Sequence, residues 1–193
     1  KPQLYITKAR TGSSGCDWFV YHHFFTATQN LRFNQSSAVS SSSDLFNNTE
    51  PTSSVFSIGN SSCINENGGT YVTYVFSEVH GYSKFGRYFG NGNSSGAFVD
   101  LGFKPELIII KNTTNTHNWR MHDLTRQPQN MPSNTDGHLL EPNNAIAESN
   151  EYDLDFLSNG FKIRVNRIYS NNTDSNFAFF AWAKSPFQYS RGH

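Results

Sequence analysis

Residues 104–111 read KPELIIIK, and residues 1–8 read KPQLYITK. Five of the eight letters coincide in place. The line is rich in β-branched residues and too short for a helix in this setting, so it reads as a strand. Working outward, the line returns with its neighbours in the same order. The stretch CDWFVYHHFF from Cys16 lies against HNWRMHDLT from His117, which sets Trp18 on Trp119. Further on, TYVTYVFSE from Thr70 lies against NFAFFAWAK from Asn176, and a tyrosine-serine pair follows each, Tyr82-Ser83 and Tyr189-Ser190. Ordered self-similarity of this kind is the mark of an internal repeat, with gaps falling in loops.

Short apolar runs punctuated by Gly, Asn, Ser and Pro recur along the chain, which predicts an all-β protein. The expected architecture is two tandem antiparallel β-sandwich-like modules related by internal duplication. Module 1 covers 1–85, a connector and lead-in strand covers 86–103, and module 2 covers 104–193. TYVTYVF and NFAFFAW are apolar on both faces, which predicts central strands covered on both sides. DFLSNGFKIRV predicts a two-residue hairpin, with Asn159-Gly160 as the positive-φ pair of a type I′ turn. The best helical candidate is the stretch from Asn143, NNAIAESNEYDLDFL, for one or two turns. GNGNSSG reads as a flexible connector, while AFVDLGF after it is strand-like. Module 1 has no such lead-in before its Lys1-Pro2, so residue 1 is not expected to be the natural start of an array element.

The composition narrows the function. Formal net charge is zero and only 16% of residues are charged, against about 25% in a typical domain. Nucleic-acid binding rests on clustered Lys and Arg, and anionic membranes select the same residues, so neither partner is expected. No apolar run approaches the length of a membrane helix. The N-terminus shows no signal-peptide pattern, which leaves a processed leader or a piece of a longer chain. Cys16 and Cys63 show no metal-ligand spacing. Two thiols are the favoured reading and one local disulfide the alternative.

No constellation carries chemistry strongly. His22 and His23 are adjacent on a strand and point to opposite faces, a poor start for a metal site. His117, Trp119, Met121 and Asp123 would share one face, with His122 on the other, and that spacing is unspecific. Asp153 and Asp155 alternate in EYDLDFL; paired carboxylates can cleave glycosides, but these read more simply as solvated charges at a loop exit. Nucleotide and hydrolase fingerprints are missing. No catalytic residue, metal or cofactor is therefore expected. Trp18, Trp119, Phe177, Phe179 and Trp182 read as structural core anchors. Aromatics found in one copy alone are the ligand-binding candidates: Tyr21, Phe24, Tyr82, Tyr88 and Phe89. Glycosylation sequons occur at Asn34, Asn47, Asn60, Asn93, Asn112 and Asn171.

The lines FVDLGFKPELIIIKNTTNTHNWRMHDLTR, DFLSNGFKIR and FAFFAWAKSPF together resemble a domain found in tail-fibre and related virion proteins of tailed bacteriophages, many of them marine. Module 2 matches this pattern from about Phe98 to Phe187, including its closing Pro186-Phe187. Module 1 keeps the Lys-Pro strand, the Trp strand and YVFSE, and lacks the Asn-Gly hairpin and the Pro-Phe ending. The resemblance implies a non-enzymatic, β-rich, oligomeric component of the virion surface, extracellular in location. Its expected partners are other virion proteins, further copies of itself and a host-surface glycan. The expected function is a tail-fibre or spike segment that displays or forms a host-recognition surface. A capsid-decorating or filament protein without a receptor is the first alternative, and a glycan depolymerase the second.

Overall fold

The computed structural model describes residues 1–127, 130 and 137–184. The chain is all-β; its described residues form three antiparallel sheets and two one-turn helices, and it divides into compact units Lys1–Ser77 and Glu78–His193. The boundary falls before the expected residue 85. Ser83–Phe89 is not part of a connector but an edge strand of a sheet in the second unit. The closing Pro186-Phe187 and Tyr189-Ser190 lie outside the described residues.

The first unit is built on one sheet. Its strands are β1 (Leu4–Thr11), β2 (Phe19–His22), β3 (Gln29–Arg32), β4 (Ser40–Ser41) and β5 (Thr70–Phe76), in the spatial order β4-β3-β2-β1-β5. One face carries Tyr5, Phe19 and Tyr21, and segment 42–65 lies over it. Two short helices in that segment, α1 (Ser43–Phe46) and α2 (Ser62–Asn65), bring Leu45, Phe46 and Ile64 to this core. Each begins at a serine, Ser42 or Ser61, whose hydroxyl accepts a backbone N–H and satisfies a donor the short helix leaves open. Tyr5 stacks on Tyr21 with centroids 4.6 Å apart, and Phe46 meets Tyr5 edge-on at 5.2 Å.

Cys16 and Cys63 form a disulfide, Cα–Cα 5.3 Å. The favoured thiol reading is corrected: the core under 42–65 holds few apolar side chains, and the bond ties that segment to the approach to β2.

The second unit is a two-sheet sandwich. One sheet runs β6 (Ser83–Phe89), β12 (Asn176–Ala183), β8 (Pro105–Asn112), β9 (Arg120–Asp123). The other runs β10 (Leu154–Leu157), β11 (Gly160–Ile163), β7 (Phe98–Asp100). Between them pack Ile108, Ile110, Phe177, Phe179 and Tyr88 from one side and Val99, Leu154, Phe156, Phe161 and Ile163 from the other. The strand-like AFVDLGF thus becomes β7. The hairpin forms as expected, with its turn one residue earlier: Leu157 pairs with Gly160, so Ser158-Asn159 is the loop, and neither has positive φ. Gly160 is needed for another reason. A Cβ there would sit 2.0 Å from the Val99 carbonyl oxygen of β7. The stretch from Asn143 forms no helix; it enters β10 as extended chain.

The repeated line is the centre of both sheets. Leu4, Tyr5, Ile6 and Lys8 of β1 face Phe76, Val75, Tyr74 and Val72 of β5. Leu107, Ile108, Ile109 and Lys111 of β8 face Trp182, Ala181, Phe180 and Ala178 of β12. On the other flank Leu4 faces His22 and Leu107 faces Asp123. The registers coincide residue for residue with the alignment of the two sequence lines. Smaller devices recur with them. The ammonium of Lys8 donates to the Cys16 carbonyl, and that of Lys111 to the His117 carbonyl at 2.7 Å. The backbone N–H groups of Trp18 and Trp119 donate to Asn34 and Asn143 side chains, both at 2.8 Å. Those amides donate onward to Asp17 and Asn118. Central placement of the aromatic strand does not recur: β12 lies between β6 and β8, whereas β5 has a strand on one side alone among the described residues, with Tyr74 and Val75 about half exposed.

Two predictions follow from this framework. Replacing both cysteines by serine releases a closed loop of 47 residues, and should cost about 2–4 kcal/mol in urea denaturation. Burial pushes the Lys111 pKa down to about 8, below the unfolded value near 10.4. Between those values the unfolded chain binds more protons, so stability should rise with pH across that window, and Lys111→Met should abolish the rise.

Candidate functional site

The face of the first sheet opposite its covered core carries Ile6, Val20 and Tyr74, which lie side by side across β1, β2 and β5. Trp18, two residues before Val20, emerges on that same face. Its ring stacks on Tyr74 with centroids 6.4 Å apart and planes 17° apart. Trp18 is half-buried and Tyr74 is 50% exposed. The two rings therefore form an open aromatic strip, and Trp18 is not the buried anchor the sequence led us to expect. Its counterpart does fill that role. Trp119 packs on Phe180 at 5.5 Å, and both are almost wholly buried.

A polar cluster lies next to Trp18 along the chain, toward the core-side face: Arg32 stands opposite Phe19 in the pairing of β2 with β3, its guanidinium 6.0 Å from the Phe19 ring. Asp17 Oδ1 accepts from Asn34 Nδ2 at 2.9 Å and from Gln35 Nε2 at 3.1 Å. Arg32 Nε lies 3.4 Å from Asp17 Oδ2. Asn34 Oδ1 also accepts from the Trp18 backbone N–H, which ties the amide cluster to the backbone that carries the indole. The carboxylate, two amides and guanidinium brace the approach to β2, while the stacked rings present an apolar face of their own.

Among the ligand candidates, the structure removes two. Tyr21 is wholly buried in the first core and its hydroxyl donates to Glu50, so burial and that carboxylate push its pKa up. Tyr88 is buried in the sandwich, its hydroxyl donating to the Ser170 carbonyl at 2.7 Å. Phe24 and Phe89 remain exposed, at 43% and 62%, and Tyr82 is half-buried. Phe24 lies against His23 and His22, with centroids at 4.2 Å and 5.7 Å, and the Arg87 guanidinium stands 5.7 Å from the Phe89 ring. Nothing gathers these three into the strip. Phe177 and Phe179 are buried anchors, and Trp182 is a half-buried one that packs on Phe85 at 5.4 Å.

Asp153 is not a solvated charge. It is completely buried, 3.0 Å from Arg120 Nε, 3.3 Å from Arg167 Nη1 and 3.5 Å from His122 Nε2. Arg120 is itself buried and also reaches Glu141 and Glu151. Burial alone would raise the Asp153 pKa; Arg120 and His122 overcome it and hold the carboxyl well below its ordinary range. Asp155 is separate, half-buried, bonded to the Tyr152 hydroxyl and paired with Arg164 at 3.2 Å. The two carboxylates are held by different partners, so they form no open pair for glycoside cleavage. Arg120 and His122 also share the face of β9 that turns inward, since they lie beside Ile110 and Ile108. Reading HNWRMHD by alternation separated His122 correctly from Met121 and Asp123. Its burial, and that of Arg120, left no periodic signal. Among the described residues, no group of three or more His, Cys, Asp or Glu is placed to hold a metal ion. Of the sequon residues, Asn112 and Asn171 are buried.

The geometry defines an all-β protein with a recurring three-strand centre and one open aromatic strip. The chain belongs to the family described as a domain of unknown function, DUF7483, whose profile matches residues 1–186. No curated protein and no solved structure matches it.

Truncating a buried charge leaves its partners unpaired, so Arg120→Met should cost about 3–5 kcal/mol at neutral pH. Asp153 has a depressed folded pKa. Its contribution is present above the unfolded value near 3.9 and is lost as pH falls below it. Acid titration of stability should therefore be shallower in Arg120→Met than in the parent.

Proposed function

We propose that this chain is a non-enzymatic structural segment of a tailed-bacteriophage virion surface, a tail fibre or spike, that presents a host-recognition face to envelope carbohydrate. The observation that carries the recognition part of this reading is the Trp18–Tyr74 stack, in which Tyr74 is 50% exposed. A pyranose ring offers an apolar C–H face that lies flat on such rings, and hydroxyls that exchange hydrogen bonds with carboxylate and amide groups. Tryptophan and tyrosine supply that contact at low entropic cost. Placement on a virion rests on the resemblance of the Lys-Pro, Trp and Asn-Gly lines. The neutral, charge-poor composition agrees with recognition by stacking and hydrogen bonds. Weak sites repeated along a fibre gain strength through effective concentration.

The test is binding of the full chain to an array of bacterial surface polysaccharides and to intact cells. Trp18→Ala and Tyr74→Ala should each weaken binding by about tenfold or more, equivalent to about 1.4 kcal/mol, while Phe89→Ala should not. A chain that ignores every glycan and cell but coats isolated phage capsids would replace this reading with the capsid-decorating one. Reducing sugar released from host envelope, and lost in Asp155→Asn, would replace it with a depolymerase.

A further inference from the structure

The two sheets differ at one flank, and the difference exposes a docking edge. In the second unit the aromatic strand β12 has β8 on one side and β6 on the other. In the first unit its counterpart β5 pairs with β1, and among the described residues it has no strand on its outer side. Folded monomers protect such edges by making them short, charged, bulged or proline-bearing. The opposite edge of the same sheet follows that rule, because β4 is two residues long. By contrast β5 is seven residues, TYVTYVF, without charge or proline, and Tyr74 and Val75 are about half exposed.

We infer that β5 pairs antiparallel with β5 of a second copy of this chain, about a two-fold axis at Thr73. The strand is complementary to itself in that register. Tyr71 of one copy would stand opposite Val75 of the other, Val72 opposite Tyr74, and Thr73 opposite Thr73. Aromatic–β-branched cross-strand pairs are favourable, at roughly 0.2–1 kcal/mol each. Opposed residues share a face, so Tyr71 and Val75 meet on the core side and Val72 and Tyr74 on the strip side. No like charges are brought together, because β5 has none. The unit-two sheet shows that an aromatic strand in this position accepts an antiparallel neighbour along its whole length, from Asn176 opposite Phe89 to Trp182 opposite Ser83. The pairing would join the two five-stranded sheets into one and set both Trp18–Tyr74 strips on a single face. It stands whether or not those strips bind sugar.

Sedimentation equilibrium of the full chain from about 1 to about 100 µM measures the association. The expected result is a reversible dimer. Val75→Lys places a charge in the seam and should raise the dimer dissociation constant by at least about tenfold, with far-UV circular dichroism unchanged. Thr73→Cys puts two thiols directly opposite, at a Cα separation of about 4.5–5.5 Å, so mild oxidation should give a dimer linked through residue 73, identified by peptide mass. Cysteine at exposed Val55 should not link under the same conditions. Hydrogen exchange on the unmodified chain needs no variant: amides of residues 71–75 should gain protection as concentration rises. A monomer throughout the range overturns the inference. So does a dimer that ignores Val75→Lys and fails to link through residue 73.

Discussion

A lysine ammonium that must find a carbonyl inside the protein holds each sheet in register. Lys8 and Lys111 end the repeated line, and each reaches back to the residue two before the tryptophan. Lys111 is fully buried, so the cost of leaving its charge unbonded would be several kcal/mol. A one-residue slip of β8 would turn that ammonium to the other face, into the packing of Ile108 and Ile110. Leucine and isoleucine elsewhere in the line would tolerate a slip far better, since both faces of the sheet are apolar. The polar residue, not the apolar ones, therefore specifies the pairing. The Asn34 and Asn143 clasps on the tryptophan N–H groups lock the neighbouring strand by the same logic.

With the centre held in common, the two units diverge in what covers them. The second unit encloses its aromatic strand between two others, and every large residue on it can be Phe or Trp. The first leaves the equivalent strand without an outer neighbour among the described residues, and there valine stands for alanine, and tyrosine and threonine for phenylalanine. Tyr74 stands where Phe180 stands, and the hydroxyl is what a half-exposed ring needs and a buried one would have to satisfy. The same aromatic pair is thus a core contact in one unit and a surface in the other. That contrast locates the strip without any reference to a ligand.

The lines that were legible in the sequence were those whose neighbours are local. The Lys-Pro strands, the Trp strands and the hairpin at Leu157–Gly160 follow from short-range pattern and turn chemistry. The ends of that hairpin were displaced because Gly160 is selected by a strand from far away, β7, and not by its own turn. Ser83–Phe89 looked like part of a linker since its pairing partner lies some ninety residues later, at Asn176–Ala183. Tyr21 and Tyr88 seemed ligand candidates because they had no counterpart, yet each is buried by elements that one unit has and the other lacks: segment 42–65 over Tyr21, the second sheet over Tyr88. The strip itself was half visible. Trp18 was singled out, but its partner Tyr74 was hidden in a strand taken for an interior one.

Charge placement differs between the two units. The chain has few ionisable groups, and the second unit draws Arg120, Asp153, Glu141, Glu151 and Arg167 into one network that pins β9 to the approach to β10. Such a network adds little net stability over an apolar equivalent, but it penalises any arrangement that leaves one member unpaired. It acts on geometry, as buried Lys111 does. In the first unit the pair of Arg32 with Asp17 is the counterpart of Glu141 with Asn118, so the carboxylate has changed sides. The first unit's carboxylate is held by two amides and a guanidinium that compensate its charge. The Trp18 and Tyr74 rings carry no charge of their own, so what they offer at the surface is stacking and not an electrostatic contact.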